Sequence, residues 1–125
     1  MAEEVGRLYN LLSPEQRTVT AIFANSYGQA GAIDFFGKEY GLPKAICNHQ
    51  NYWYWGPRGY TGESVIVLGS DGTGDRKHFA SVEAVGRTYH PYSRRDEHFE
   101  VFLCRGLNKP LAERWPKMKK WYVLD

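Results

Sequence analysis

The sequence predicts an α/β fold: a three-layer α/β/α sandwich around a Rossmann-like, mainly parallel sheet of about five strands, in one domain spanning residues 1–125. Three observations carry this reading. Residues 18–24 and 64–68 are apolar, β-branched runs with the character of buried strands. Stretches of helical period alternate with them, the pattern of layered α/β folds. The chain of 125 residues is 42% apolar and 24% charged, which suits one compact domain of ordinary globular composition.

The elements follow in order. Val5, Leu8, Tyr9 and Leu12 recur at i, i+3, i+4 and i+7, the stripe of an amphipathic first helix. Ser13-Pro14-Glu15-Gln16 has the form of a second, short helix: Ser13 caps it, Pro14 suits the first helical position, and Gln16 reaches back in a capping box. The strand at 18–24 ends at Asn25-Ser26-Tyr27-Gly28. From Gln29 a helix is expected with Ala30, Ile33, Phe36 and Tyr40 on one face, stopped by Gly41 and Pro43. A short strand at 44–47 completes a βαβ unit with an expected right-handed crossover. The third strand is 64–68. Gly69 to Gly74 turns into a helix beginning near Asp75, with Asp75 as its cap and Phe79 and Val82 facing inward. Val85, Arg87 and Tyr89 alternate as a fourth strand, and Phe99, Val101 and Leu103 as a fifth. Leu111, Trp115, Met118 and Tyr122 mark a last helix, which Pro116 should kink or split.

Composition narrows the function classes. The longest run of apolar residues is four, far short of the about 20 needed for a membrane helix. A formal charge of +2 gives no basis for a nucleic-acid partner. Six cations (Arg105, Lys109, Arg114, Lys117, Lys119, Lys120) and only Glu113 as an anion lie between 105 and 120. They read either as a solvated helix face or as a surface near anionic headgroups. Cys47 and Cys104 pair in an oxidising compartment or sit as small buried thiols in a reducing one, and the sequence leaves both open.

Open α/β sheets bind ligands beyond the carboxyl ends of their strands. Three such segments are rich in polar and aromatic groups: 25–29, 48–57 and 69–74. The candidate ligand-binding residues are Tyr27, Gln29, Asn48, His49, Asn51, Trp53, Trp55 and Asp71. Amides serve hydroxyl groups and flat rings cover C–H faces, so the mixture suits a sugar or another polyhydroxylated group. The competing structural reading is that Trp53 and Trp55 plug the open end of the sheet. Gly69-Ser-Asp-Gly-Thr-Gly74 fails the dinucleotide fingerprint, because Lys77 stands at the third glycine position counted from Gly72. Neither a Walker motif nor a G-x-S-x-G elbow is present. Cys47-x-His49 is not a zinc spacing. No catalytic residue, metal or cofactor is therefore assigned.

The segments Asn25-Ser26-Tyr27-Gly28-Gln29-Ala30-Gly31-Ala32-Ile33-Asp34, Tyr40-Gly41-Leu42-Pro43 and Asn48-His49-Gln50-Asn51-Tyr52-Trp53-Tyr54-Trp55-Gly56-Pro57 resemble the C-terminal soluble part of bacterial polytopic glycosyltransferases. These form the dolichyl-phosphate-mannose-protein mannosyltransferase and aminoarabinose-transferase superfamily. Its members commonly read N-Y-G-E-A-G-A-I, Y-G-L-P and S-G-H-N-x-Y-x-x-W-G-P. Leu103 to Leu107 and Pro110 to Pro116 also look like that family's end. Here Gln29 replaces the usual Glu, and Cys47-Asn48 replaces Ser-Gly before His49.

The resemblance implies an accessory soluble domain on the extracytoplasmic face of the cell membrane. Its parent would use a polyprenyl-phosphate-linked sugar, with the catalytic carboxylate on a loop of the transmembrane half. Implied partners are that transmembrane half and the lipid-linked sugar or acceptor, with no turnover by this domain alone. The alternatives are a self-contained nucleotide-binding protein using Gly69 to Gly74, or a protein-interaction module using the aromatic stretch.

Overall fold

A computed structural model describes residues 2–24, 27–47, 56, 58–68, 73–88, 99–108 and 110–117. Helix α1 (Ala2–Asn10) buries Val5, Leu8 and Tyr9, as its spacing requires. Helix α2 (Pro14–Val19) opens on a capping box: Ser13 Oγ accepts from the Gln16 N–H at 3.2 Å, and the Ser13 N–H donates to Gln16 Oε1 at 3.3 Å. Strand β1 (Thr20–Ala24) leads to α3 (Tyr27–Phe36), which tightens into a 3₁₀ turn (Gly37–Tyr40). Gly41 ends it at φ 72°, the left-handed conformation expected of a helix-stop glycine. Strands β2 (Ile46–Cys47) and β3 (Ser64–Leu68) follow, then α4 (Thr73–His78). A hairpin of β4 (Phe79–Thr88) and β5 (Phe99–Leu107) precedes α5 (Leu111–Arg114). Around Pro116 the last helix passes from α into a 3₁₀ turn at Trp115–Lys117; the rest of the expected helix lies outside the described residues.

The five strands form one mixed sheet in the order β2-β1-β3-β5-β4. Strands β2, β1 and β3 are parallel, whereas β3–β5 and β5–β4 are antiparallel. A parallel β4 and β5 would need a long crossover connection. The ten residues between Thr88 and Phe99 join an antiparallel pair without one.

Alternation along the strands sorts the core onto two faces. One carries Ile22, Ala24, Cys47, Ile66, Leu68 and Val101, packed under Val5, Leu8 and Tyr9 of α1 and Ala30 and Ile33 of α3. The other carries Ala21, Ile46, Val65, Val67, Phe102 and Cys104, packed under Leu111 and Trp115. On that second face Phe23 meets Trp115 edge-on, with ring centroids 6.4 Å apart. Cys47 and Cys104 thus lie on opposite faces, with β1 and β3 between their strands. The strand spacing separates them by about 14 Å, beyond the about 7 Å that a disulfide spans. Both are buried thiols that do not bridge each other.

Four local expectations are corrected. The fourth helix ends at His78, so Phe79 and Val82 reach the core from β4 and not from a helix. The nine-residue β5 offers this β-branched stretch a longer ladder than a lone helical turn could match. Asp75 is the third residue of α4 and not its cap. Phe36 is more than half exposed, because α3 turns only Ala30 and Ile33 squarely onto the sheet. The first and second strands are shorter than expected, since α2 extends through Val19 and only Ile46 and Cys47 pair with β1. Tyr89, Met118 and Tyr122 lie outside the described residues.

Candidate functional site

The carboxyl ends of the three parallel strands lie in one row. Ala24 of β1 pairs with Cys47 of β2 on one side and with Leu68 of β3 on the other. Adjacent strands sit about 4.8 Å apart, so these three ends fall within about 10 Å. Leu68 is in turn level with Val101 of β5. Thr88 and Phe99, which flank residues 89–98, pair two positions beyond Val101 at this same end. The rim therefore also receives the end of the β4–β5 hairpin at which residues 89–98 join the two strands.

The connections leaving β1 and β3 diverge. After β1 the chain enters α3, whose Ala30 and Ile33 pack on the first face. After β3 it enters α4, whose Arg76 guanidinium lies 6.0 Å from the centre of the Phe102 ring on the second face. Neighbouring parallel strands whose connections depart to opposite faces leave a crevice between their carboxyl ends, the usual ligand position in open α/β sheets. In this sheet that position is the one between the ends of β1 and β3, at Ala24 and Leu68. Gln29 is half-buried in the first turn of α3, the helix that follows β1. That turn carries no acidic residue, so the positive end of the helix dipole meets no negative side chain of its own turn.

Of the predicted site residues, Gln29 is the one whose side chain is described, half-buried in the first turn of α3. The backbone of Tyr27 opens α3 there, and its side chain lies outside the description. Asn48, His49, Asn51, Trp53, Trp55 and Asp71 fall outside the described residues. Their segments are flanked by Cys47 and Leu68, both in the rim row. Of the cations at 105–120, Arg105 is exposed on β5, while the side chains of Lys109, Arg114, Lys117, Lys119 and Lys120 lie outside the description.

Two residues beside the rim carry contacts that sequence reasoning did not find. Asp34 Oδ1 accepts the Ala45 N–H at 2.8 Å, and Arg58 Nε donates to the Ala45 carbonyl at 3.1 Å. Arg58 adopts φ 51° between Gly56 and Gly59, both also left-handed. A residue with a Cβ stays there at a cost of about 1 kcal/mol or more. The available signal was the Gly-Pro-Arg-Gly turn itself, which marks a chain reversal but not the bond it makes.

The shifted titrations lie elsewhere. The hydrogen bond from Arg7 holds the Glu4 carboxyl below its usual range, and burial pushes the Tyr9 and Tyr60 phenols up. Among the described residues no three His, Cys, Asp or Glu side chains converge to hold a metal, and no helix is long and apolar enough to cross a membrane.

No family model, curated protein or solved structure matches this chain.

Proposed function

We propose that this chain is the accessory soluble domain of a membrane-embedded glycosyltransferase that uses a polyprenyl-phosphate-linked sugar. In this reading it is a three-layer α/β/α sandwich on the extracytoplasmic side of the membrane. Its rim contacts the sugar, the acceptor or the transmembrane half of the parent, and chemistry occurs on that other half. No catalytic residue is assigned to this domain.

The observation that carries the proposal is the in-register row Ala24–Cys47–Leu68 with its diverging connections. All three segments singled out by residue chemistry leave from that row, and the first two also carry the family resemblance. The local chemistry agrees. An α3 amino end with an amide in place of a carboxylate favours an anionic or hydroxyl-rich group. An amide at this position, unlike a carboxylate, adds no negative charge beside a phosphate-linked group. A phosphate-linked sugar is both anionic and hydroxyl-rich.

The test is deletion. In a full-length transferase carrying this segment, removing it should lower sugar transfer, while the isolated 125-residue chain should turn over no lipid-linked sugar. A parent that transfers at its normal rate without the segment removes the functional content of the proposal.

A further inference from the structure

Strand β2 has two residues and, among the described residues, pairs only with β1, so its own ladder does little to hold it. The residue before it compensates. Ala45 is fully buried, and a residue in extended chain directs its N–H and C=O to the same side. Both groups are occupied by side chains: Asp34 Oδ1 takes the N–H at 2.8 Å and Arg58 Nε gives to the carbonyl at 3.1 Å. These side chains occupy the peptide groups that a further strand would otherwise pair. They come from opposite directions along the sequence, Asp34 from α3 and Arg58 from beyond residue 57. Arg58 also stays in the left-handed region although it has a Cβ, as expected where surrounding contacts over-determine a conformation.

We infer that Asp34 and Arg58 are positioning residues that clamp Ala45 and so hold Cys47 level with Ala24, fixing the outer corner of the rim. That this corner serves recognition rests on the reading proposed above. The clamp also couples α3, which carries Gln29, to the seating of β2. A shift of one alters the distance across the outer half of the rim.

The two cysteines report on this directly. Both are fully buried, Cys47 on the clamped edge strand and Cys104 on an interior strand. Labelling of the whole chain with N-ethylmaleimide, mapped by peptide mass spectrometry, follows each thiol separately. Arg58→Ala and Asp34→Ala should each speed labelling of Cys47 by about tenfold, the scale of one lost charge-assisted hydrogen bond, and leave Cys104 near its native rate. Asp34→Asn keeps an acceptor oxygen and Arg58→Lys keeps a donor, so both should restore most of the protection. Arg58→Gly relieves the left-handed backbone but removes the donor, and should expose Cys47 even where Arg58→Ala folds poorly.

Unchanged Cys47 labelling in Arg58→Gly and Asp34→Ala overturns the clamp. So does a rise matched by Cys104, which marks global opening. The same variants in a full-length transferase separate the two claims. Exposed Cys47 with undiminished sugar transfer keeps the clamp and overturns a recognition role for the corner.

Discussion

At the scale of single residues, the buried polar side chains Thr20 and Ser64 are partnered with each other. Thr20 Oγ1 donates to the Gln16 carbonyl at 2.6 Å and lies 2.9 Å from Ser64 Oγ. Each hydroxyl has one proton, so Ser64 supplies the second bond. Thr20→Val leaves the Ser64 hydroxyl buried without that acceptor and should cost about 1–3 kcal/mol in urea unfolding. Adding Ser64→Ala to it should cost little more, because the shared bond is already gone. Tyr60 gives a pH signature. Burial raises its phenol above the ordinary value of 10.0, so the folded chain holds the proton more tightly than the unfolded one. The resulting stability is fully present below pH 10 and is lost as the pH climbs through the folded value. Thermal unfolding of Tyr60→Phe should therefore fall less steeply above pH 10 than that of the native chain. An identical alkaline slope in both would contradict this.

At the scale of elements, the sequence was most informative where punctuation and period agreed. The capping box at Ser13, the left-handed stop at Gly41 and the loosened α pattern at Pro116 rest on local hydrogen bonds and backbone restrictions, and all three are present. It was least informative over 73–88, where a helix and a strand competed and the outcome depended on a β5 ladder some twenty residues away. A periodicity carries no information about so distant a partner. Two glycines separate conformational from steric demand. Gly41 faces open space at φ 72°, so Gly41→Ala should cost only the left-handed backbone penalty, about 1–2 kcal/mol. Gly62 sits at φ 93°, and a Cβ there would lie 2.9 Å from that of Leu107. Gly62→Ala should therefore lower the unfolding midpoint distinctly more than Gly41→Ala, and equal midpoints would refute the distinction.

At the scale of the whole molecule, the location of the rim was readable from the order of elements, because a strand–helix–strand unit must send its strand ends the same way. The different faces met by α3, through Ala30 and Ile33, and by α4, through Arg76 on Phe102, were not readable, since face assignment depends on tertiary contact. The clamp on Ala45 is equally hidden, because no local pattern pairs the Asp34 carboxylate with a peptide group eleven residues away. The account stands or falls on ligand contact at one end of the sheet. Its most direct test is amide chemical-shift mapping of the whole chain titrated with a water-soluble, short-prenyl phosphosugar. The largest shifts should fall at Ala24, Gln29, Cys47 and Leu68 and fade toward Thr20 and Ser64 at the opposite end. Shifts confined to Thr20, Ser64 and their neighbours, or none at saturating ligand, would contradict it.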